Sequence, residues 1–183
     1  MEVEPVPARI GAATARLRAM RLFVALWPPD DVVERLEELH RKDQVGARFT
    51  RPGNWHVTLR FLGAADPNEV AAALDTAVLM ATTVRLGPAV DIMNERVLYV
   101  PASGADDLAA EVVRVTRGLG DEPLRRRYLG HLTIARLKRR ANMPRALGEL
   151  IDASWQPSEI ALVESRLHPD GARYETLQTW PIG

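Results

Sequence analysis

Hydrophobic positions along the chain change rhythm from one short segment to the next. Residues 21–29, RLFVALWPP, form a nearly unbroken apolar run closed by two prolines, which predicts a strand. Val32, Val33, Leu36 and Leu39 then fall at helical spacing, predicting a helix that Asp30 or Asp31 caps and that runs to about Lys42. Alternation takes over in 55–63, WHVTLRFLG, and stops at a glycine, so this segment reads as a strand. Asp66 and Pro67 open an alanine-rich helix reaching about Met80. Strands near 84–91 and 96–100 follow, the second ended by Pro101.

The second half repeats this alternation of types. A helix is predicted over about 105–119, ending where Gly120 supplies a C-terminal stop. HLTIARL (131–137) reads as a strand and MPRALGELID (143–152) as a short helix. Residues 155–167 and 167–182 read as a hairpin turning at Pro169, Asp170 and Gly171. This mixture predicts an α+β fold with largely antiparallel sheets. No linker rich in serine or glycine divides the chain, so residues 20–183 are expected to form a single domain.

Composition narrows the class without changing that picture. With 46% hydrophobic and 26% charged residues in 183, the chain has the make-up of a globular protein. No apolar run approaches the roughly 20 residues needed to span a bilayer. There is no cysteine, which excludes disulfides and thiolate metal sites and fits an expected cytoplasmic location. The first 19 residues lack the basic start and apolar core of a secretory signal and read as a flexible extension.

Net charge is zero, but it is unevenly spread. Between Arg125 and Arg145 lie eight basic residues (Arg125, Arg126, Arg127, Arg136, Lys138, Arg139, Arg140 and Arg145) and no acidic one. Such a run is ordinarily a solvated surface. Here it brackets His131, and a guanidinium fork matches phosphate oxygens, so an anion-binding role is expected.

The candidate chemistry lies in an internal echo. H-V-T-L begins at His56 and H-L-T-I at His131, each in a predicted strand after a turn. Side chains alternate along a strand, so His56 and Thr58 share one face while Val57, Leu59 and Phe61 take the buried one. His131 and Thr133 share a face in the same way, over Leu132 and Ile134. A lone strand histidine is usually structural; two with the same neighbour, in a chain of four histidines, point to a site. Two imidazoles with ordinary pKa near 6.5 can serve as base and acid at neutral pH, and two hydroxyls can donate to phosphate oxygens. No H-x-H, H-E-x-x-H or Asp-rich cluster is present, so neither metal nor cofactor is expected. His40, near a helix end, and His168, beside the Pro-Asp-Gly turn, are expected at the surface.

The two H-x-T-hydrophobic motifs resemble the signature of the 2H phosphoesterase superfamily. RLFVALWPP, NWHVTLRFLG, GHLTIARL, LVESRL, GARYETL and WPI, in that order, resemble the bacterial and archaeal RNA 2′,3′-cyclic phosphodiesterases, formerly called 2′-5′ RNA ligases. The resemblance spans Arg21 to Pro181. It implies a bilobal fold, two antiparallel sheets flanking a central cleft with helices outside. It also implies metal-independent hydrolysis of RNA 2′,3′-cyclic phosphate ends to a 2′-phosphomonoester, with a reversible 2′-5′ ligase side activity. His56 would be the acid toward the leaving oxygen and His131 the base. Thr58, Thr133 and Arg136 would bind the phosphate, although simple alternation puts Arg136 on the face opposite His131 unless the strand bulges. Phe23 is a candidate for stacking a base, and Arg139 and Arg140 for guiding RNA. The expected partner is RNA with a cyclic phosphate end, such as a tRNA fragment, acted on by a monomer away from membranes. Alternatives are a small cyclic nucleotide or ADP-ribose cyclic phosphate as substrate, or a non-catalytic RNA-end-binding module.

Overall fold

A computed structural model describes residues 19–42, 44–123, 127–139, 141–169 and 171–183. The expected extension therefore lies almost wholly outside the described residues, as do Arg125, Arg126, Arg140 and Asp170 of the predicted turn. Among the described residues the elements are β1 (Met20–Leu26), α1 (Asp30–Glu37), β2 (Ala47–Phe49), β3 (Val57–Ala65), α2 (Pro67–Leu74), β4 (Val84–Leu86), β5 (Asp91–Met93), β6 (Val97–Ser103), α3 (Asp106–Val115), β7 (His131–Leu137), β8 (Ala153–Trp155), β9 (Glu159–His168) and β10 (Gly171–Pro181). A 3₁₀ turn at Pro52–Asn54 precedes β3.

The strands follow the order β10-β9-β1-β3-β7-β6-β4-β8, with β2 also on β7 and β5 on β6, and every pairing is antiparallel. Two wings are visible in this order. One is β10-β9-β1-β3, and the other is β7 with β6, β4 and β8. The expected pair of sheets is thus one curled sheet whose wings meet at a single register pair, Val57 opposite Leu132. From Leu22 onward the central strand β1 is apolar because both its faces are covered. Leu22, Val24 and Leu26 enter the main core, while Phe23 and Ala25 form a smaller cluster with Ala161 and Val163.

Several elements are shorter than the apolar pattern predicts, because specific polar groups capture the backbone. At α1 no side-chain cap is made; Asp30 and Asp31 instead sit in the first turn, where carboxylates complement the helix dipole. The helix stops before His40, whose N–H donates to Glu149 Oε2 at 2.9 Å. Asp66 caps α2 as expected, accepting from Asn68 N at 2.8 Å. That helix ends by Asp75, and the N–H of Val78 then goes to Glu111 Oε1. Residues 143–152 form turns rather than a helix. Gly148 adopts a left-handed φ of 81°, and the N–H groups of Gly148 and Ile151 donate to the carbonyls of Val90 and Pro88.

Candidate active site

Each motif fixes its imidazole by the same local device. His56 Nδ1 lies 2.7 Å from the carbonyl oxygen of Asn54, and His131 Nδ1 lies 2.9 Å from that of Leu129, in both cases two residues upstream. A carbonyl can only accept, so each ring carries its proton on Nδ1. Nε2 is left as the working nitrogen, able to take or give a proton. Both rings are partly exposed, as are Thr58 and Thr133. Among the described residues neither threonine hydroxyl has a hydrogen-bond partner, so both remain able to donate to a bound oxyanion.

The surroundings of the two rings differ. His56 is enclosed by three aromatic rings: Phe23 at 4.8 Å between centroids, Trp27 at 5.4 Å and Tyr174 at 5.2 Å. His131 meets one, Tyr99, edge-on at 5.7 Å. Burial among those rings lowers the His56 pKa to about 4. The Asn54 carbonyl opposes this, and the positive charges of His131 and Arg136 add to the lowering. His131 and Arg136 thus lie near enough to His56 for their charges to act on its ring.

Arg136 shares the face of His131 and Thr133 because β7 carries a bulge. Leu98 pairs with Ala135 and Tyr99 with Thr133, so Ile134 is an extra residue. Ile134 and Ala135 are both buried in succession, and Arg136 emerges exposed on the face of His131 and Thr133. Phe23 departs from its expected role. It is 3% exposed with its ring against His56 and Tyr174, leaving no free face for a nucleobase; it packs the imidazole instead. Arg139 is exposed just past β7, and Arg140 lies outside the described residues. His40 is exposed but paired with Glu149, and His168 is exposed at the end of β9.

β3 bulges as well, and this overturns the simple face assignment there. Pairing with β1 skips Leu59 and Leu62, so the phase shifts twice. Phe61 is 43% exposed, with the Arg21 guanidinium 4.8 Å above its ring, instead of being buried. Arg60 goes inside. Its guanidinium donates to the Thr116 hydroxyl and to the carbonyls of Leu119 and Asp121, anchoring the chain that leaves α3 toward the second motif. Alternation alone gave no sign of Arg60. Tyr128 escaped it too: its hydroxyl donates to the Thr58 carbonyl at 2.9 Å. Trp27 was visible in the first apolar run, but only the folded sheet shows it beside His56.

Known proteins share this architecture. A family model described as the 2′-5′ RNA ligase superfamily matches residues 25–169. The chain is 31% identical over 181 residues to an RNA 2′,3′-cyclic phosphodiesterase of Thermus thermophilus, covering 89% of this chain and 90% of that one. It is 25% identical over 174 residues to a protein of the same name from Methanocaldococcus jannaschii, covering 88% of this chain and 100% of the other. The crystal structure of TT0787 of Thermus thermophilus superposes with a TM-score of 0.73 at 26% identity, covering 89% and 98% of the two chains.

Proposed function

This chain belongs to the 2′-5′ RNA ligase superfamily, and on that footing we propose that it hydrolyses the 2′,3′-cyclic phosphate at an RNA end to a 2′-phosphomonoester. The observation that carries this reading is the matched pair of imidazoles, each held through Nδ1 with Nε2 left for proton transfer, with Arg136 on the exposed face of the second motif. The names of the relatives from Thermus thermophilus and Methanocaldococcus jannaschii support the substrate class.

In the proposed reaction Thr58, Thr133 and Arg136 hold the non-bridging oxygens. Nε2 of His131 takes a proton from water as it attacks phosphorus. The P–O3′ bond breaks, and Nε2 of His56 gives its proton to the departing O3′. One water is consumed and both rings reset by exchange with solvent. General acid–base help of this kind is worth about 10²- to 10⁴-fold. The free protein disfavours the proton that His56 needs, since its pKa is about 4 there. Burial is the largest cause of that low value, and the substrate's own negative charge beside the ring favours the charged form and draws the proton in.

No metal is invoked. Among the described residues no three His, Asp or Glu side chains cluster as a metal site would require, and the paired imidazoles suffice for the proton transfers. Also among them, no helix is long and apolar enough to cross a membrane. The joining of RNA ends through a 2′-5′ linkage is the same ring opening with a 5′ hydroxyl in place of water as the nucleophile, O3′ again leaving with a proton, and is proposed as a side reaction. The deciding experiment incubates the protein with EDTA and an RNA bearing a 2′,3′-cyclic end, then identifies the product. A 2′-phosphate is expected. An unchanged substrate, or a 3′-phosphate, would refute the reading.

A further inference from the structure

β2 is only three residues long, and its middle residue, Arg48, stands directly opposite Arg136 on β7. Directly opposed residues of an antiparallel pair project from the same face, with Cβ atoms about 4.5–5.5 Å apart, and like charges there destabilise the sheet. Both arginines are exposed. The next residue, Phe49, packs against the main core, so Arg48 is turned to the other side, the one Arg136 occupies.

The Arg48 side chain runs toward the hairpin of β9 and β10. Its guanidinium lies against Gly171 at the start of β10, where a Cβ would come within 2.8 Å of Nη2. The neighbouring Ala172 carbonyl accepts from Asn54 Nδ2 at 2.9 Å, tying the hairpin tip to the turn that leads into His56. Arg35, Arg41, Arg114 and Arg166 each have a carboxylate within 4.0 Å. Among the described residues neither Arg48 nor Arg136 does. Two arginines directly opposed on one exposed face, neither with a carboxylate partner among the described residues, call for anions between or beside them.

We propose that Arg48 forms a second phosphate subsite, which takes the phosphodiester linking the terminal nucleotide to its neighbour while Arg136 takes the cyclic phosphate. The inference rests on the proposed function and sharpens it: the preferred substrate is a polynucleotide end rather than a mononucleotide. Arg48 is a binding residue for the chain and has no part in the proton transfers.

The test compares a mononucleoside 2′,3′-cyclic phosphate with a trinucleotide carrying the same cyclic end. For Arg48→Gln, KM for the trinucleotide is expected to rise about tenfold more than KM for the mononucleotide, with kcat for the trinucleotide held; Arg48→Lys should recover part of the loss. One lost phosphate contact should also flatten the slope of log K against log salt by about 0.7 for single-stranded RNA. Because the change relieves a like-charge pair, the melting temperature should not fall, which separates the effect from misfolding. Equal losses on both substrates, or loss on neither, would overturn the proposal. If the wild-type protein cleaves neither substrate, the proposed function fails separately. Fluorescence anisotropy of a labelled RNA ending in a 2′-phosphate then decides the role of Arg48, and unchanged affinity in Arg48→Gln would overturn it.

Discussion

Tyr128 donates its hydroxyl to the main-chain carbonyl of Thr58 at 2.9 Å, joining the approach to the second motif to the interior of the first. Burial raises the pKa of this phenol, and the carboxylate of Asp106 adds to the effect, so it stays protonated and remains a donor at any physiological pH. Like the Val57–Leu132 register pair, this bond links the wings, and it ends on a motif residue. Tyr128→Phe should therefore cost about 1 kcal/mol in stability. It should also lower kcat several-fold with KM little changed, as the two motifs lose registry. A variant with reduced stability and full kcat would restrict Tyr128 to folding.

His56 and His131 are expected to differ in which substrate rescues their loss. His56→Ala and His131→Ala should each lower kcat by at least about 10²-fold. A cyclic or aryl phosphodiester with a good leaving group needs no proton on departure, so it should rescue His56→Ala selectively. Rescue of His131→Ala instead would reverse the two roles.

Anion binding and the His56 proton are linked, and the sign follows from its pKa of about 4 in the free protein. A bound phosphodiester raises that pKa, so the complex holds more protons than the free protein above pH 4. Affinity should then be highest at and below about pH 4 and fall as pH rises toward the pKa of the complex. Titration with an uncleavable phosphodiester, whose own charge is constant over this range, measures the effect. A flat profile in the wild type, or the same slope in His56→Gln, would break the link.

Arg60 supplies a stability prediction independent of the chemistry. Its buried guanidinium satisfies the Thr116 hydroxyl and the carbonyls of Leu119 and Asp121. Arg60→Met keeps the length of the side chain but orphans those oxygens, and should cost on the order of 3 kcal/mol. A denaturant midpoint within error of wild type would show that the loop finds other partners.

Arg139 tests the basic segment. Arg139→Ala should weaken an oligonucleotide substrate more than a mononucleotide and reduce the salt dependence of its KM. Identical behaviour on both would return this stretch to a solvated surface.

What the sequence reveals here follows from the range of the forces involved. β7 spans the predicted 131–137, since its period-two pattern and flanking glycine are local properties. The placement of His56, Thr58, His131 and Thr133 on accessible faces was legible for the same reason. Phe61 and Arg60 were not, because a bulge is set by how β3 pairs with β1 and leaves no local trace. The length of α2 and the absent helix at 143–152 depended on distant partners, Glu111 for one and the 88–90 backbone for the other. Trp27, Tyr128 and Arg48 acquire their roles only when strands far apart in sequence are brought side by side.

A strand has a reading frame of two residues, and the additional residue Ile134 in β7 acts on it as a frameshift. Upstream, His131 and Thr133 are in one frame; downstream, Arg136 is in the other, yet all three lie on the same face of the strand. Inserting one further residue between Thr133 and Arg136 while the bulge is kept would aim the guanidinium at the core, where Leu98 and Leu132 leave it no counter-charge. The spelling H-x-T-x-x-R is therefore a measured distance as much as a set of residue types, and point substitution tolerates error there better than a change of length does.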